Sequence, residues 1–325
     1  MSDILMINGA RKLVEEAAAV KNNENVLIVT DFNMLDIAKI MSVAIYERSN
    51  NLVVTIMEPR KYHCEEPPSM VAVAMKKADV IFAPTTYTLG VTKARLEATE
   101  IGARVINMPG YTKEIMMSDA LNKVNLKEIN GEAIKIQKLL TDANEVFIHT
   151  KLGTELKIGI KGRNANALTG IVHKPGEFGC LPNIETNIGP VEGTTEGKIV
   201  VDACILHPGL NLLHEPVELV VKDGFVEKIT GGKEAEKFRD MLQEFNDRTV
   251  YNIAELGIGL NPYAELKGSM LEDEGMKGSI HVAIGTNLAF GGHVKAPVHI
   301  DMIIKHADIS LDNKVELMKN GELLI

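Results

Sequence analysis

The feature that most constrains the fold is a repeated alternation of short apolar runs and helical patterns in the first half of the chain. The apolar runs are rich in β-branched residues, and four of them lie at residues 25–30, 51–57, 79–84 and 103–109. Amphipathic helical patterns separate them. Continuous apolar strands joined by helices are typical of a parallel sheet that is covered on both faces. We therefore predict an α/β domain with a parallel sheet.

The pattern changes after about residue 150. The segments TELKIGIKG, KIVVDACIL and VELVVKDGFVEKI alternate apolar and polar residues, as half-buried antiparallel strands do. Asp223 and Gly224 lie where a two-residue turn would make the last segment a hairpin. A chain of 325 residues has room for two domains of about 150 residues each. The sequence thus predicts an N-terminal α/β domain over residues 1–150 and a C-terminal α+β domain over residues 151–325, with antiparallel strands that bear the metal site.

Composition and charge narrow the class of protein. The formal net charge is −9 and no basic stripe is present, so we expect no nucleic-acid partner. No run approaches the roughly 18–20 apolar residues of a membrane helix, and the N-terminus does not resemble a signal peptide. We therefore expect a cytoplasmic protein without a membrane partner. The three cysteines are widely spaced and fit neither a disulfide framework nor a cysteine-based zinc site.

Potential metal ligands concentrate near the C-terminus. Residues i and i+2 of a strand share a face, so in APVHIDMII the side chains of His299 and Asp301 point the same way, while the intervening apolar residues face the core. In SIHVAIG, His281 likewise points away from its apolar neighbours. Buried charge is costly unless it is paired or coordinated. These three residues therefore indicate a metal site of two histidines and one carboxylate.

Two acids further upstream also lie in unusual surroundings. Glu255 lies in NIAELGIGLNP, and Glu185 lies in the Pro- and Gly-rich segment GCLPNIETNIGPVEG. Glutamate is seldom buried without a partner, and a metal ion is such a partner. For each residue alone a simpler role stays open: a core histidine, a pH-sensitive His–Asp pair, a solvated acid or a capping acid. The joint pattern favours a metal site.

The order of four segments, LPNIETNIGPVEG, AELGIGLNP, LEDEGMKGSIHVAIGTN and APVHIDMII, resembles the M29 family of metallo-aminopeptidases from about residue 180 onward. The resemblance implies two metal ions (zinc, cobalt or manganese) and a homodimer or higher homo-oligomer. It implies five ligands, at Glu185, Glu255, His281, His299 and Asp301. From it we predict a metal-dependent hydrolase, in which a metal-activated water attacks an amide or peptide carbonyl.

In this hydrolase hypothesis a carboxylate such as Glu255 or Glu274 takes the proton of the attacking water. The family has a catalytic Tyr a few residues after its first His, whereas this sequence has Asn287, Leu288 and Phe290 in that region. His293 is then the candidate that replaces the Tyr as oxyanion donor.

A second resemblance is to mononuclear iron enzymes of the 2,5-dihydroxypyridine 5,6-dioxygenase type, which are close to this chain in length. It implies one Fe(II) held by His281, His299 and Asp301, with open positions for O2 and a chelating ring substrate. His293 is then a candidate acid or base. This ring-cleaving dioxygenase is the alternative to the hydrolase, and a non-catalytic metal-binding scaffold is the third. Both enzyme hypotheses require a divalent metal and a small-molecule or short-peptide substrate.

Overall fold

The fold is described from a computed structural model that covers residues 2–207 and 209–325. These residues form two compact units. The units are Met1–Leu126 with Leu168–Pro182, and Lys127–Ala167 with Asn183–Ile325. The domain boundary near residue 150, which the sequence indicated, stays a prediction. None of the helices in the described part of the chain has both the length and the apolar character that a membrane crossing requires.

The first unit contains a five-stranded sheet in which every neighbouring pair is parallel. Its strands in spatial order are Leu52–Met57, Val26–Asp31, Val80–Thr85, Arg104–Pro109 and Phe178–Gly179. The three strands between the two edges are buried along their whole length. This burial is what continuous apolar runs predict for a parallel sheet. The predicted parallel sheet with helices is confirmed.

The helices of this unit differ in how they begin, and only some of them have a side-chain N-cap. They are Ser2–Arg11, the π-helix Lys12–Ala17, the 3-10 turn Phe32–Met34, Leu35–Tyr46, Ser69–Met75, Lys93–Glu100, Lys113–Met117 and Asp119–Asn122. Thr92, Thr112 and Ser118 are N-caps whose hydroxyl oxygens accept backbone N–H groups of the first turn.

The second unit contains an eight-stranded antiparallel sheet. Its strands in spatial order are Phe225–Thr230, Val217–Lys222, Glu196–Val201, Glu155–Gly159, Glu145–His149, Asp308–Leu311, Val315–Lys319 and Glu322–Leu323. The predicted hairpin is present, since Asp223 and Gly224 both adopt positive φ, as a two-residue type I′ turn requires.

One predicted strand divides between two sheets. The segment KIVVDACIL continues the eight-stranded sheet only as far as Val201, and Cys204–Ile205 then pairs with the strand His299–Lys305 of another sheet. The break lies at Asp202, whose carboxylate accepts the backbone N–H of Lys305. A polar residue between two apolar pairs thus marks the crossing from one sheet to the next.

The second sheet of this unit has six strands, and its paired strands Cys204–Ile205 through Glu185–Ile188 are antiparallel. The strands in spatial order are Cys204–Ile205, His299–Lys305, Ser279–Gly285, Ile253–Gly259, Glu185–Ile188 and Asn166–Leu168. One face of this sheet presents fully buried apolar residues such as Leu256, Val282 and Met302. The helices of the unit are Leu126–Asp142, Lys233–Glu244, Arg248–Tyr251, Met270–Asp273 and Leu288–Phe290. The fold class predicted for the second half is confirmed.

Candidate metal centre

The candidate ligands lie on the other face of the six-stranded sheet. In the strand register Gly257 is opposite His281, and Ala283 is opposite Asp301. Alternate residues of a strand share a face, so all four residues lie on this face of the sheet. The histidine and the acid thus each have a very small residue opposite them on the neighbouring strand. An ideal Cβ on Gly257 would lie 2.0 Å from Nε2 of His281. The glycine therefore leaves the space that the imidazole occupies.

Glu255 follows an irregularity in its strand. The register with the neighbouring strand shifts between Ile253 and Glu255, as it does at a β-bulge. A bulge bends the strand and changes the direction of the next side chain. On the adjoining strand, Glu185 is opposite Gly259. Both acids are almost completely buried.

Two imidazoles and three carboxylates converge. Nε2 of His281 lies 3.6 Å from Oε2 of Glu185, 3.6 Å from Oε1 of Glu255 and 4.0 Å from Oδ1 of Asp301. Nε2 of His299 lies 3.0 Å from Oε2 of Glu255 and 3.5 Å from Oδ1 of Asp301. The ligand atoms form two groups that share Glu255, each within 4.8 Å. All five predicted metal ligands are thus brought together, and their role as ligands stays a prediction.

The orientation of His299 is determined by two contacts outside the cluster. Its Nδ1 lies 2.9 Å from the carbonyl oxygen of Thr286, and because a carbonyl only accepts, Nδ1–H is the donor. The ring of Phe290 stacks on the imidazole with the centroids 5.3 Å apart. With Nδ1 engaged in this way, Nε2 is the nitrogen left to bind a metal ion.

Outer hydrogen bonds orient the acids. Nδ2 of Asn187 donates to Oε1 of Glu185 at 2.7 Å, and Nδ2 of Asn166 donates to Oδ1 of Asn187 at 3.1 Å. Sequence reasoning missed these residues. Asn187 lies two positions after Glu185 on the same strand face, so the alternation that pairs His299 with Asp301 was a usable signal. No comparable signal exists for Asn166, which lies on a neighbouring strand.

Burial is the largest influence on the pKa of each group. It raises the pKa of Glu185 to about 7, against the opposing charge of His281. Burial alone would lower the pKa of His281, but Glu185 and Glu255 outweigh it and raise that pKa to about 9. Burial would also lower the pKa of His299, but the carboxylates of Asp301 and, to a smaller extent, Glu255 outweigh it and raise that pKa well above its usual value. Burial would raise the pKa of Asp301, but the positive charge of His299 outweighs it and lowers that pKa to about 2.

The residues present fit a divalent cation. The carboxylates favour positive charge on both imidazoles, and a metal ion supplies such charge when it replaces the protons. Oε2 of Glu185 and Nδ1 of His281 are buried and have no hydrogen-bond partner among the residues that the structure describes. A buried carboxylate oxygen without a donor is costly, and coordination would satisfy it. The donor set of imidazole and carboxylate suits zinc, manganese or iron.

The two predicted catalytic residues lie in different surroundings. Glu274 adjoins the cluster: Nδ2 of Asn183 donates to its Oε2 at 2.9 Å. Burial first, and then the charge of Asp301, raise the pKa of Glu274 well above its usual value. His293 is exposed in the loop before His299, and its backbone N–H donates to Glu192. Its role as an acid or base stays a prediction.

Known proteins resemble this chain along its length. The sequence pattern of the family described as NicX, 2,5-dihydroxypyridine 5,6-dioxygenase, matches residues 13–325. A curated protein of Pseudomonas putida, 2,5-dihydroxypyridine 5,6-dioxygenase, is 31% identical over 192 residues. That match covers 56% of this chain and 55% of the relative, so it spans about half of the relative's length.

Two solved structures have the same fold. The 2,5-dihydroxypyridine dioxygenase of Pseudomonas putida KT2440 superposes with a TM-score of 0.86 at 21% identity, covering 98% of this chain and 96% of that chain. AmpT from Thermus thermophilus superposes with a TM-score of 0.71 at 16% identity, covering 99% of both chains. At these identities each likeness indicates the fold alone.

The comparisons correct the hydrolase hypothesis. The family pattern and the curated relative both point to a dioxygenase, whereas the M29 aminopeptidase type is matched only by a distant structural neighbour. The prediction of a metal-dependent hydrolase related to M29 aminopeptidases is therefore wrong. Its physical basis was retention of five ligand positions, but the same fold occurs in a dioxygenase as well as in AmpT. The comparisons support an enzyme with a divalent metal and a small-molecule substrate.

Proposed function

The chain belongs to the NicX family of 2,5-dihydroxypyridine 5,6-dioxygenases, and from that premise we propose that it is an iron-dependent, ring-cleaving dioxygenase. Its substrate is a dihydroxylated pyridine or a closely related aromatic ring. His281, His299 and Asp301 hold a single Fe(II) in the arrangement of two histidines and one carboxylate. The cytoplasmic location and the homo-oligomer stay predictions.

The observation that supports this proposal is the convergence of Nε2 of His281 and Nε2 of His299 on Oδ1 of Asp301. The bond from Nδ1–H of His299 to Thr286 fixes the tautomer that this arrangement needs. The low pKa of Asp301 keeps its carboxylate ionised at neutral pH. These three side chains come from two adjacent strands, so the sheet itself sets their spacing.

Iron bound by these residues would bring O2 and the hydroxylated ring together and pass electrons from the ring, which is oxidised, to O2. The remaining work is done by the chain. Glu255 lies between both imidazoles and balances their charge, and Glu185 does the same on the side of His281. Glu274, oriented by Asn183, is the candidate that takes the proton of a ring hydroxyl and returns it later, since its raised pKa makes it a stronger base than an ordinary glutamate.

Metal content and oxygen uptake test the proposal. Protein purified without oxygen is expected to bind one iron per chain. With 2,5-dihydroxypyridine it should consume one O2 per ring while the ring absorbance disappears. His299→Ala is expected to lose both iron and oxygen uptake, because Nε2 of His299 is one of three ligands.

The contrary outcomes are distinct. Bound iron without oxygen uptake, over a panel of dihydroxylated rings, would favour the non-catalytic scaffold. Oxygen uptake that persists in His299→Ala after the metal has been removed would show that the iron site is elsewhere.

A further inference from the structure

The loop between the strands Ser279–Gly285 and His299–Lys305 makes the two contacts that orient His299 from outside the cluster. Its first residue, Thr286, accepts the Nδ1–H of His299, and Phe290 stacks on the ring. The backbone of Phe290 is closely packed, since an ideal Cβ on Gly189 would lie 2.5 Å from its carbonyl oxygen. The position of His299 therefore depends on the conformation of this loop.

Asn287 holds the loop closed. It is completely buried, its backbone N–H donates to the carbonyl of Val294, and its Oδ1 accepts the N–H of Val294 at 2.8 Å. Gly292 lies against its amide group, where an added Cβ would be 2.0 Å from Cγ of Asn287. Residues 287–294 thus enclose the amide side chain of Asn287.

Glu192 connects this loop to the rest of the unit. Its Oε1 accepts Nδ2 of Asn287 at 2.9 Å and the backbone N–H of His293 at 2.8 Å. Its Oε2 is paired with Nη2 of Arg163, and Nη1 of Arg163 donates to the carbonyl of Gly291. One carboxylate and one guanidinium therefore hold three points of the loop.

We infer that Glu192 is a positioning residue for the metal centre: it sets the orientation of His299 through the loop that begins at Thr286. The inference rests on the proposed function, because it takes His299 as an iron ligand. Glu192 belongs to neither group of candidate ligand atoms, so its effect reaches the metal only through the loop. Hydrogen bonds outside the ligand set typically change metal affinity or activity by about 10- to 100-fold.

Cobalt(II) binding tests the inference, since cobalt replaces iron at such sites and its visible spectrum reports ligand geometry. Glu192→Ala removes both contacts of Oε1 with the loop and the partner of Arg163. Glu192→Gln keeps Oε1 but loses the pairing with Arg163. Glu196→Ala is the matched control, since Glu196 likewise accepts a backbone N–H at a turn, that of Asp223 in the eight-stranded sheet. The measurements are the cobalt dissociation constant, the visible spectrum and the melting temperature of metal-free protein.

We expect Glu192→Ala to weaken cobalt binding about 10- to 100-fold and to change the spectrum, with a smaller change of the same kind in Glu192→Gln. Glu196→Ala should change neither. If Glu192→Ala does not fold, a changed spectrum in Glu192→Gln at an unchanged melting temperature supports the inference, and an unchanged spectrum contradicts it.

Two results separate the possible failures. Unchanged cobalt affinity and spectrum in Glu192→Ala, together with lost binding in His299→Ala, would overturn the positioning role alone. Unchanged cobalt binding in His299→Ala would overturn the proposed ligand set and, with it, this inference.

Discussion

The two imidazoles of the metal centre belong to adjacent strands, yet they are held in different ways. The side chain of His281 is 2% exposed, and it is surrounded by carboxylates and by the glycine beneath it. The side chain of His299 is 25% exposed, and a carbonyl and an aromatic ring of one loop orient it. Nδ1 of His281 has no hydrogen-bond partner, whereas Nδ1 of His299 has one.

This difference indicates that two separate parts of the fold orient the two histidines of one site. His281 is oriented by the sheet and by charge, so its position depends on strand register and on the protonation of Glu185. His299 is oriented by local loop contacts and lies on the more open side of the cluster, from which a substrate can approach. Substitutions in the sheet and in the loop should therefore affect iron binding to different extents.

His281→Ala should remove iron binding, because the imidazole of His281 is one of the three proposed ligands. A ligand contributes more than the groups that orient it, so we expect affinity to fall by more than about 100-fold, the upper end for outer contacts. The measurement is iron titration without oxygen against a competing chelator. His149→Ala is the control, since His149 is an exposed histidine that pairs with Glu155 in the eight-stranded sheet. Near-normal iron affinity in His281→Ala would mean that His281 only balances charge.

Gly257→Ala tests the support of His281 by the sheet. The new Cβ would lie 2.0 Å from Nε2 and 2.1 Å from Cε1 of the imidazole, so the ring must move. We expect iron affinity to fall about 10- to 100-fold, because the ligand is displaced but not removed. Iron titration is again the measurement.

Gly131→Ala is the matched control for this change. An added Cβ there meets nothing within 4 Å, and the residue lies in the helix Leu126–Asp142. This substitution should leave iron affinity unchanged and stabilise the protein by about 0.5–1 kcal/mol. Equal iron affinity in the two variants would contradict the role given to Gly257.

The sequence predicted the ligand-bearing face because strand alternation is a local property. The spacing in SIHVAIG and APVHIDMII was enough to place His281, His299 and Asp301 on one side of their strands. It was not enough to indicate the contacts of Thr286 and Phe290, which depend on the conformation of a loop. The two-residue strand Phe178–Gly179 and the sheet crossing at Asp202 were also missed, since so few residues have no periodicity.

The reaction could not be predicted from the ligands for a related reason. Glu185 and Glu255 favoured two metal ions and hydrolysis, but buried acids can also balance the charge of nearby histidines, and both acids lie 3.6 Å from Nε2 of His281. Ligand types restrict the metal and leave the chemistry open. Three observations favoured the dioxygenase: the chain length, the absence of the M29 family's Tyr after His281 and the additional His293.

Metal-free protein should become less stable as the pH rises. The pKa of His281 is raised from 6.5 to about 9 in the folded protein, so its contribution is fully present below pH 6.5 and is lost as the pH rises through 9. Glu185, raised from 4.5 to about 7, acts in the same direction at lower pH. We expect a loss on the order of 3–5 kcal/mol between pH 6 and pH 10.

Urea unfolding after chelator treatment measures this loss. Bound iron should remove most of it, because the metal replaces the protons. His281→Gln should flatten the profile in the same range. Stability of the metal-free protein that is constant or rises over this range would mean that His281 is neutral in the folded state.

Phe290→Leu tests the support of His299 by the loop and should have the smallest effect. An aromatic pair contributes about 0.5–1.5 kcal/mol beyond its burial, which corresponds to a change in iron affinity of about twofold to tenfold. Phe147→Leu is the control, since Phe147 lies beside Lys157 in the eight-stranded sheet. The pKa of His299 is raised as well, so iron affinity is the measurement that isolates the loop contact. Iron affinity in Phe290→Leu that equals the affinity in Phe147→Leu would contradict the support of His299 by the loop.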